Sequence, residues 1–184
     1  IHESSEVTGS KTIIQVSKNG KVYLWEPFSN RYQGIYSIQR KILKSVLGNK
    51  IIFQEENLDL EIAFRYTWMN SDKFGWVKKS WLANNSNQSL GLYFIDGLQN
   101  ILPYGVSEFT QSKFSTLVDA YKKSELIQDV NLALFRMESI MADRAEPSEA
   151  LRTTTVWNYG LPNSLFLLSS VQLENFRQGK AITN

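Results

Sequence analysis

Lys50–Pro103 reads KIIFQEENLDLEIAFRYTWMNSDKFGWVKKSWLANNSNQSLGLYFIDGLQNILP, and its reading decides the fold. Four runs, Ile51–Gln54, Leu60–Trp68, Phe74–Leu82 and Leu90–Leu98, are rich in β-branched and aromatic residues. Between them Glu55–Asp59, Asn70–Lys73 and Asn84–Ser89 are polar clusters that break ladder pairing and reverse the chain. The pattern predicts an antiparallel meander. Within it Leu60, Ile62, Phe64, Tyr66 and Trp68 share one face at period two, opposite Glu61, Ala63, Arg65 and Thr67, as in a half-buried strand. Leu90–Ile95 is apolar at both parities, which predicts a strand covered on both faces near the middle of a sheet. Cover on two sides implies a two-sheet antiparallel β-sandwich, all-β in class, over a single open sheet.

Outward from this core, Lys11–Val16 and Lys21–Glu26 alternate around Ser17-Lys18-Asn19-Gly20, and Asn-Gly is a strong hairpin signal. Gly34–Leu47 alternates as a further strand, closed by Gly48-Asn49. On the C-terminal side Phe114, Leu117, Val118 and Tyr121 recur at helical spacing and predict one short helix between Thr110 and Gln128. Asn131–Met141, Thr153–Trp157 and Ser164–Ser169 read as strands, the last two around Gly160-Leu161-Pro162-Asn163. Residues 1–10 are polar and read as a flexible tail. With no repeat or linker, residues 11–184 read as one sandwich domain. The absence of an initiator Met and the abrupt end NFRQGKAITN lead to the expectation of a domain cut from a longer multidomain chain.

Composition narrows the chemistry. A net charge of +2 without a basic stripe gives no footprint for nucleic acid. No apolar run is long enough for a membrane-spanning helix. With no cysteine and one histidine, His2 in the tail, thiolate zinc sites and cysteine nucleophiles are excluded. A Ser-His-Asp triad would have to be built on the loosest part of the chain. No metal or cofactor is implied.

The order of elements resembles the N-terminal β-sandwich ("supersandwich", galactose-mutarotase-like) domain of large bacterial glycosidases and cellobiose-phosphorylase-type enzymes. The resemblance is carried by RYTWMNSDKFGWVKKSWLANNSNQSLGLYFIDGLQNILP at Arg65–Pro103, with LVDAYKKSEL at Leu117–Leu126 and DRAEPSEAL at Asp143–Leu151. It implies a non-catalytic domain that precedes an (α/α)6 catalytic barrel in the same polypeptide and packs against it. Mutarotase chemistry in this fold class relies on histidines, which the strands here lack. A bacterial cytoplasm and a periplasm both suit such a protein, and homo-oligomer formation is compatible with it.

Glycoside hydrolysis needs two carboxylates facing one bond. Glu55 with Glu56, Asp59 with Glu61, and Glu146 with Glu149 are the pairs in reach, and turn or surface roles are the expectation for each. Trp68 and Trp76 are expected in the core. Trp25 and Trp157 are candidates for a carbohydrate or interface surface, because indole rings stack on the C–H faces of sugars. Arg144 and Glu146, in the charged loop around Pro147, are candidates for docking a catalytic domain. The alternative function is a free-standing carbohydrate-binding module that takes oligosaccharide directly.

Overall fold

The computed structural model describes residues 4–139 and 151–183. The protein is built mainly of antiparallel β-structure, in two compact units. One comprises Ile1–Glu6 with Ser10–Gly97, the other Val7–Gly9 with Leu98–Asn184.

After a single turn, α1 (Ser4–Val7), the first unit opens with the hairpin of β1 (Gly9–Lys18) and β2 (Lys21–Trp25). Asn19 and Gly20 have φ of 53° and 73°, the left-handed pair that a two-residue turn needs to match strand twist. β3 (Ile38–Lys44), β4 (Lys50–Asn57), β5 (Ile62–Ser71) and β6 (Gly75–Asn84) then form a four-stranded meander in chain order. β7 (Gly91–Gln99) leaves the meander and joins β1, giving a second sheet in the order β2-β1-β7. The two sheets face each other. Ile14, Val16 and Trp25 from one meet Leu60, Ile62, Phe64 and Tyr66 from the other in a single buried cluster. The period-two face of β5 is therefore the core face.

Three details differ from the sequence pattern, each for a physical reason. β4 runs on through Glu55 and Glu56 to Asn57, because the reversal is made by Asn57, whose Oδ1 accepts from the Leu60 N–H at 3.0 Å, and by Glu61 at φ 57°. β7 is an edge strand with Leu92 and Tyr93 exposed, so its two-sided apolar character does not mark the sheet centre. That place belongs to β1, where Lys11, Thr12, Ile13 and Ile14 are consecutively buried. Trp76, expected in the core, is 72% exposed.

The second unit holds a three-stranded antiparallel sheet of β8 (Lys122–Ile127), β9 (Leu132–Met137) and β10 (Thr153–Trp157) in the order β10-β9-β8. The short helix expected between Thr110 and Gln128 is α3 (Ser115–Tyr121), and a second one, α2 (Glu108–Lys113), capped by Ser107, precedes it. Chain extension at Lys122 then diverts the rest into β8, which gains a ladder with β9. Of the four helical-spaced apolar residues only Val118 is buried, against Leu102, Val106 and Met137. Ser164–Ser169 forms no strand. It leads instead into a 3-10 turn at Ser170–Gln172 and α4 (Leu173–Arg177), with Ser169 Oγ accepting from the Val171 N–H at 3.3 Å.

Candidate functional site

Trp25 lies in the core, 1% exposed, and is not a surface aromatic. Its indole Nε1 donates to Glu55 Oε1 at 3.0 Å, and Glu55 Oε2 accepts from the Phe28 N–H at 2.7 Å and from Arg40 Nε at 2.5 Å. Arg40 also donates to the Ser29 carbonyl at 2.8 Å, so the carboxylate and guanidinium together hold the loop after β2. Phe28 sits at φ 65°, a strained region for a bulky residue that costs on the order of 1–3 kcal/mol. The strain is offset by edge-to-face packing on Phe53, Phe64 and Tyr66. Nothing in the sequence pattern marks this loop, because its partners come from strands far along the chain.

The carboxylates of the two described pairs are engaged with separate partners. Glu55 and Glu56 are consecutive in β4 and so point to opposite faces; Glu56 accepts from Asn85 Nδ2 at 2.9 Å. Asp59 accepts from the Ser37 N–H at 2.6 Å, and Glu61 pairs with Lys18 at 2.7 Å. Arg144, Glu146 and Glu149 lie outside the described residues. Trp157 belongs to the second unit, at the end of β10 opposite Leu132, and is 44% exposed. That unit also has a shallow hollow of about 350 Å³ among Leu126, Phe166, Leu168 and Gln172, with no titratable group in its lining.

The feature with functional character in the first unit is an overhang of the four-stranded sheet. Its inner face is covered as far as Ser10, Thr12 and Asp96, and exposure climbs from 8% at Tyr66 to 72% at Trp76. On the same face Ile42 shares the row of Phe53 and Tyr66, and Ile51, Trp68 and Trp76 lie past that row; Trp68 still packs against the core cluster, whereas Ile42 and Trp76 are exposed. Ile51 lies directly opposite Trp68, and Trp76 directly opposite Asn70. The two indoles meet nearly perpendicular, at 82° and 6.4 Å between centroids. The adjoining hairpin tips carry Val46, Leu47 and Phe74, all exposed.

A polar cluster anchors the base of the overhang. Asp96 accepts from Thr12 Oγ1 at 2.7 Å, Lys78 Nζ at 2.6 Å and Ser80 Oγ at 2.7 Å. Lys78 Nζ also lies 5.2 Å from the centre of the Tyr66 ring. Burial raises the Tyr66 phenol above its usual range; a hydrogen bond with Ser10 opposes this and the Asp96 charge adds to it. These groups fix the height of β6 against the other sheet and so the position of Trp76. Period-two alternation assigns a residue to a face, but it carries no information on where the opposing sheet stops. The one available hint was that Trp76 stands close to the Asn70–Lys73 turn.

Among the described residues no group of three or more acidic or histidine side chains could hold a metal ion, and no helix is long and apolar enough to cross a membrane. In sequence comparison the chain matches no protein-family model and no curated protein.

Proposed function

We propose that the chain is a non-catalytic β-sandwich module of a carbohydrate-active protein, a glycoside hydrolase or phosphorylase, and that it packs against and shapes the catalytic domain. The observation that carries this reading is the overhang. Ile42, Val46, Leu47, Phe74 and Trp76 are exposed together on two neighbouring, fully paired hairpins. A contiguous apolar surface on a rigid support is the usual mark of an interaction site. The carbohydrate assignment comes from the resemblance of Arg65–Pro103 to the supersandwich domains.

Sedimentation of the purified chain tests the packing. Concentration-dependent self-association through the uncovered tips is expected, and Leu47→Lys should abolish it by placing a charge at the contact. A strictly monomeric chain whose reading frame stops after Asn184 would overturn the proposal, since the reading requires a helical barrel encoded downstream. The alternative of a free-standing carbohydrate-binding module draws on Trp76 alone, and monomeric behaviour with unaided glycan binding would favour it.

A further inference from the structure

Beyond the packing role, and independently of the carbohydrate assignment, we infer that the turn end of the four-stranded sheet is a docking surface for an anionic lipid bilayer. The β3–β4 and β5–β6 turns lie at the same end of the meander, because its strands are antiparallel neighbours in chain order. The first turn holds Val46 and Leu47 almost wholly exposed, and the second presents Phe74 with Trp76 beside it. Neither turn is loose. Ser45 Oγ accepts from the Lys50 N–H at 3.1 Å and donates to Asn49 Oδ1 at 2.9 Å, while the Ser45 N–H donates to the Lys50 carbonyl at 3.0 Å. Gly48, at φ 70°, donates to the Ser45 carbonyl at 2.9 Å. In the second turn Ser71 Oγ accepts from the Phe74 N–H at 3.3 Å. A formed backbone therefore displays the apolar tips.

The charge around the tips selects the occupant. Lys41 and Lys44 on β3, Lys50 on β4 and Lys73 in the second turn are exposed, and none has a carboxylate partner among the described residues. Lys44 lies along the first turn, its Cε 3.3 Å from where a Cβ on Gly48 would stand. Against these four cations, Asp72 is the single acidic residue in residues 41–50 and 69–77. Arg65 and Lys79 carry the positive charge onward over the outer face of β5 and β6. A protein partner does not suit this ring, since lysine is depleted at protein–protein interfaces. Single-stranded nucleic acid needs open aromatic faces along a basic groove, and Trp81, the aromatic of the basic face, is capped by Arg65 at 4.5 Å and Lys79 at 5.0 Å. An anionic bilayer matches both layers of this end. Its acyl boundary takes Val46, Leu47 and Phe74, its headgroup level suits the Trp76 indole, and its anionic headgroups face the lysines. The long lysine stems let the ammonium groups stay in the headgroups while the tips go deeper. Ile42, on the inner face one row further from the turns, is left for a packed domain.

The test is flotation of the purified chain with phosphatidylcholine vesicles, with and without about 30% phosphatidylglycerol, followed by quenching of tryptophan emission by brominated acyl chains. Binding about tenfold tighter to the anionic vesicles than to the neutral ones is expected, and it should weaken as salt rises. Lys44→Gln with Lys50→Gln should weaken it at least about tenfold, at roughly fivefold per lysine. Lys180→Gln, at an exposed lysine of the second unit, should change it less than about twofold. Trp76→Phe should remove most of the quenching by brominated chains, because Trp76 is the most exposed indole of the first unit. Sedimentation without lipid reads the packing surface separately, and the two lysine substitutions should leave self-association in place. No flotation with anionic vesicles, an equal loss in Lys180→Gln, or binding without quenching would overturn the inference. So would binding to polyglutamate or to a single-stranded oligonucleotide as tight as to the vesicles.

Discussion

At the scale of single residues, the molecule turns on carboxylates that satisfy donors brought from far along the chain. Glu55 serves the Trp25 indole, the Phe28 backbone and Arg40 at once, from a buried strand position. Glu55→Ala would leave the Trp25 indole and the Phe28 N–H without an acceptor and Arg40 without its carboxylate, so a loss of about 3 kcal/mol in urea unfolding is expected. Glu55→Gln, which keeps an acceptor oxygen, should cost clearly less. Glu6 is a second such group. Burial works to raise its pKa, but hydrogen bonds from Lys11, Ser29 and the Asn30 N–H, with the Lys11 charge, outweigh it and hold the group at about 2 against an ordinary 4.5. A folded-state pKa below the unfolded one gives stability that is complete above pH 4.5 and is lost as the pH falls toward 2. Thermal unfolding across that range should show a steep acid limb, flattened in Glu6→Gln.

Among the elements, local chemistry succeeds where one short stretch contains its own reason. The β1–β2 hairpin is such a case, because Asn19-Gly20 supplies both left-handed positions and the register Lys18↔Lys21 follows from it. Gly20→Val forces a β-branched side chain to φ 73° and should destabilise the chain by about 1–2 kcal/mol in denaturant titration. Thr153–Trp157 was legible for a similar reason, as a β-branched run bounded by turns. The short helix between Thr110 and Gln128 is legible as α3, but its end at Tyr121 is not. Its apolar spacing is real, but β9 offers Lys122–Ile127 a hydrogen-bonded partner, and tertiary pairing overrides a weak local preference. β7 was misjudged for a different reason, since an apolar strand at both parities fits an edge whose outer residues remain exposed.

For the molecule as a whole, the sequence by itself determined the all-β class, the core face of β5 and most strand positions. These depend on alternation and turn chemistry, which are local properties. Of the candidate site it provided the residue types only. Trp25 and Trp76 are both tryptophans in alternating strands, and nothing local separates the one that is buried on Glu55 from the one that stands open. The tertiary structure decided that difference, because burial depends on where the opposing sheet ends. β1 begins at Gly9, and its Ser10 and Thr12 meet Tyr66 and Asp96, while β5 and β6 run on past that level. The length by which one sheet outreaches the other leaves Trp76 open while Trp68 still packs against the core, and strand pairing between residues distant in the chain sets that length.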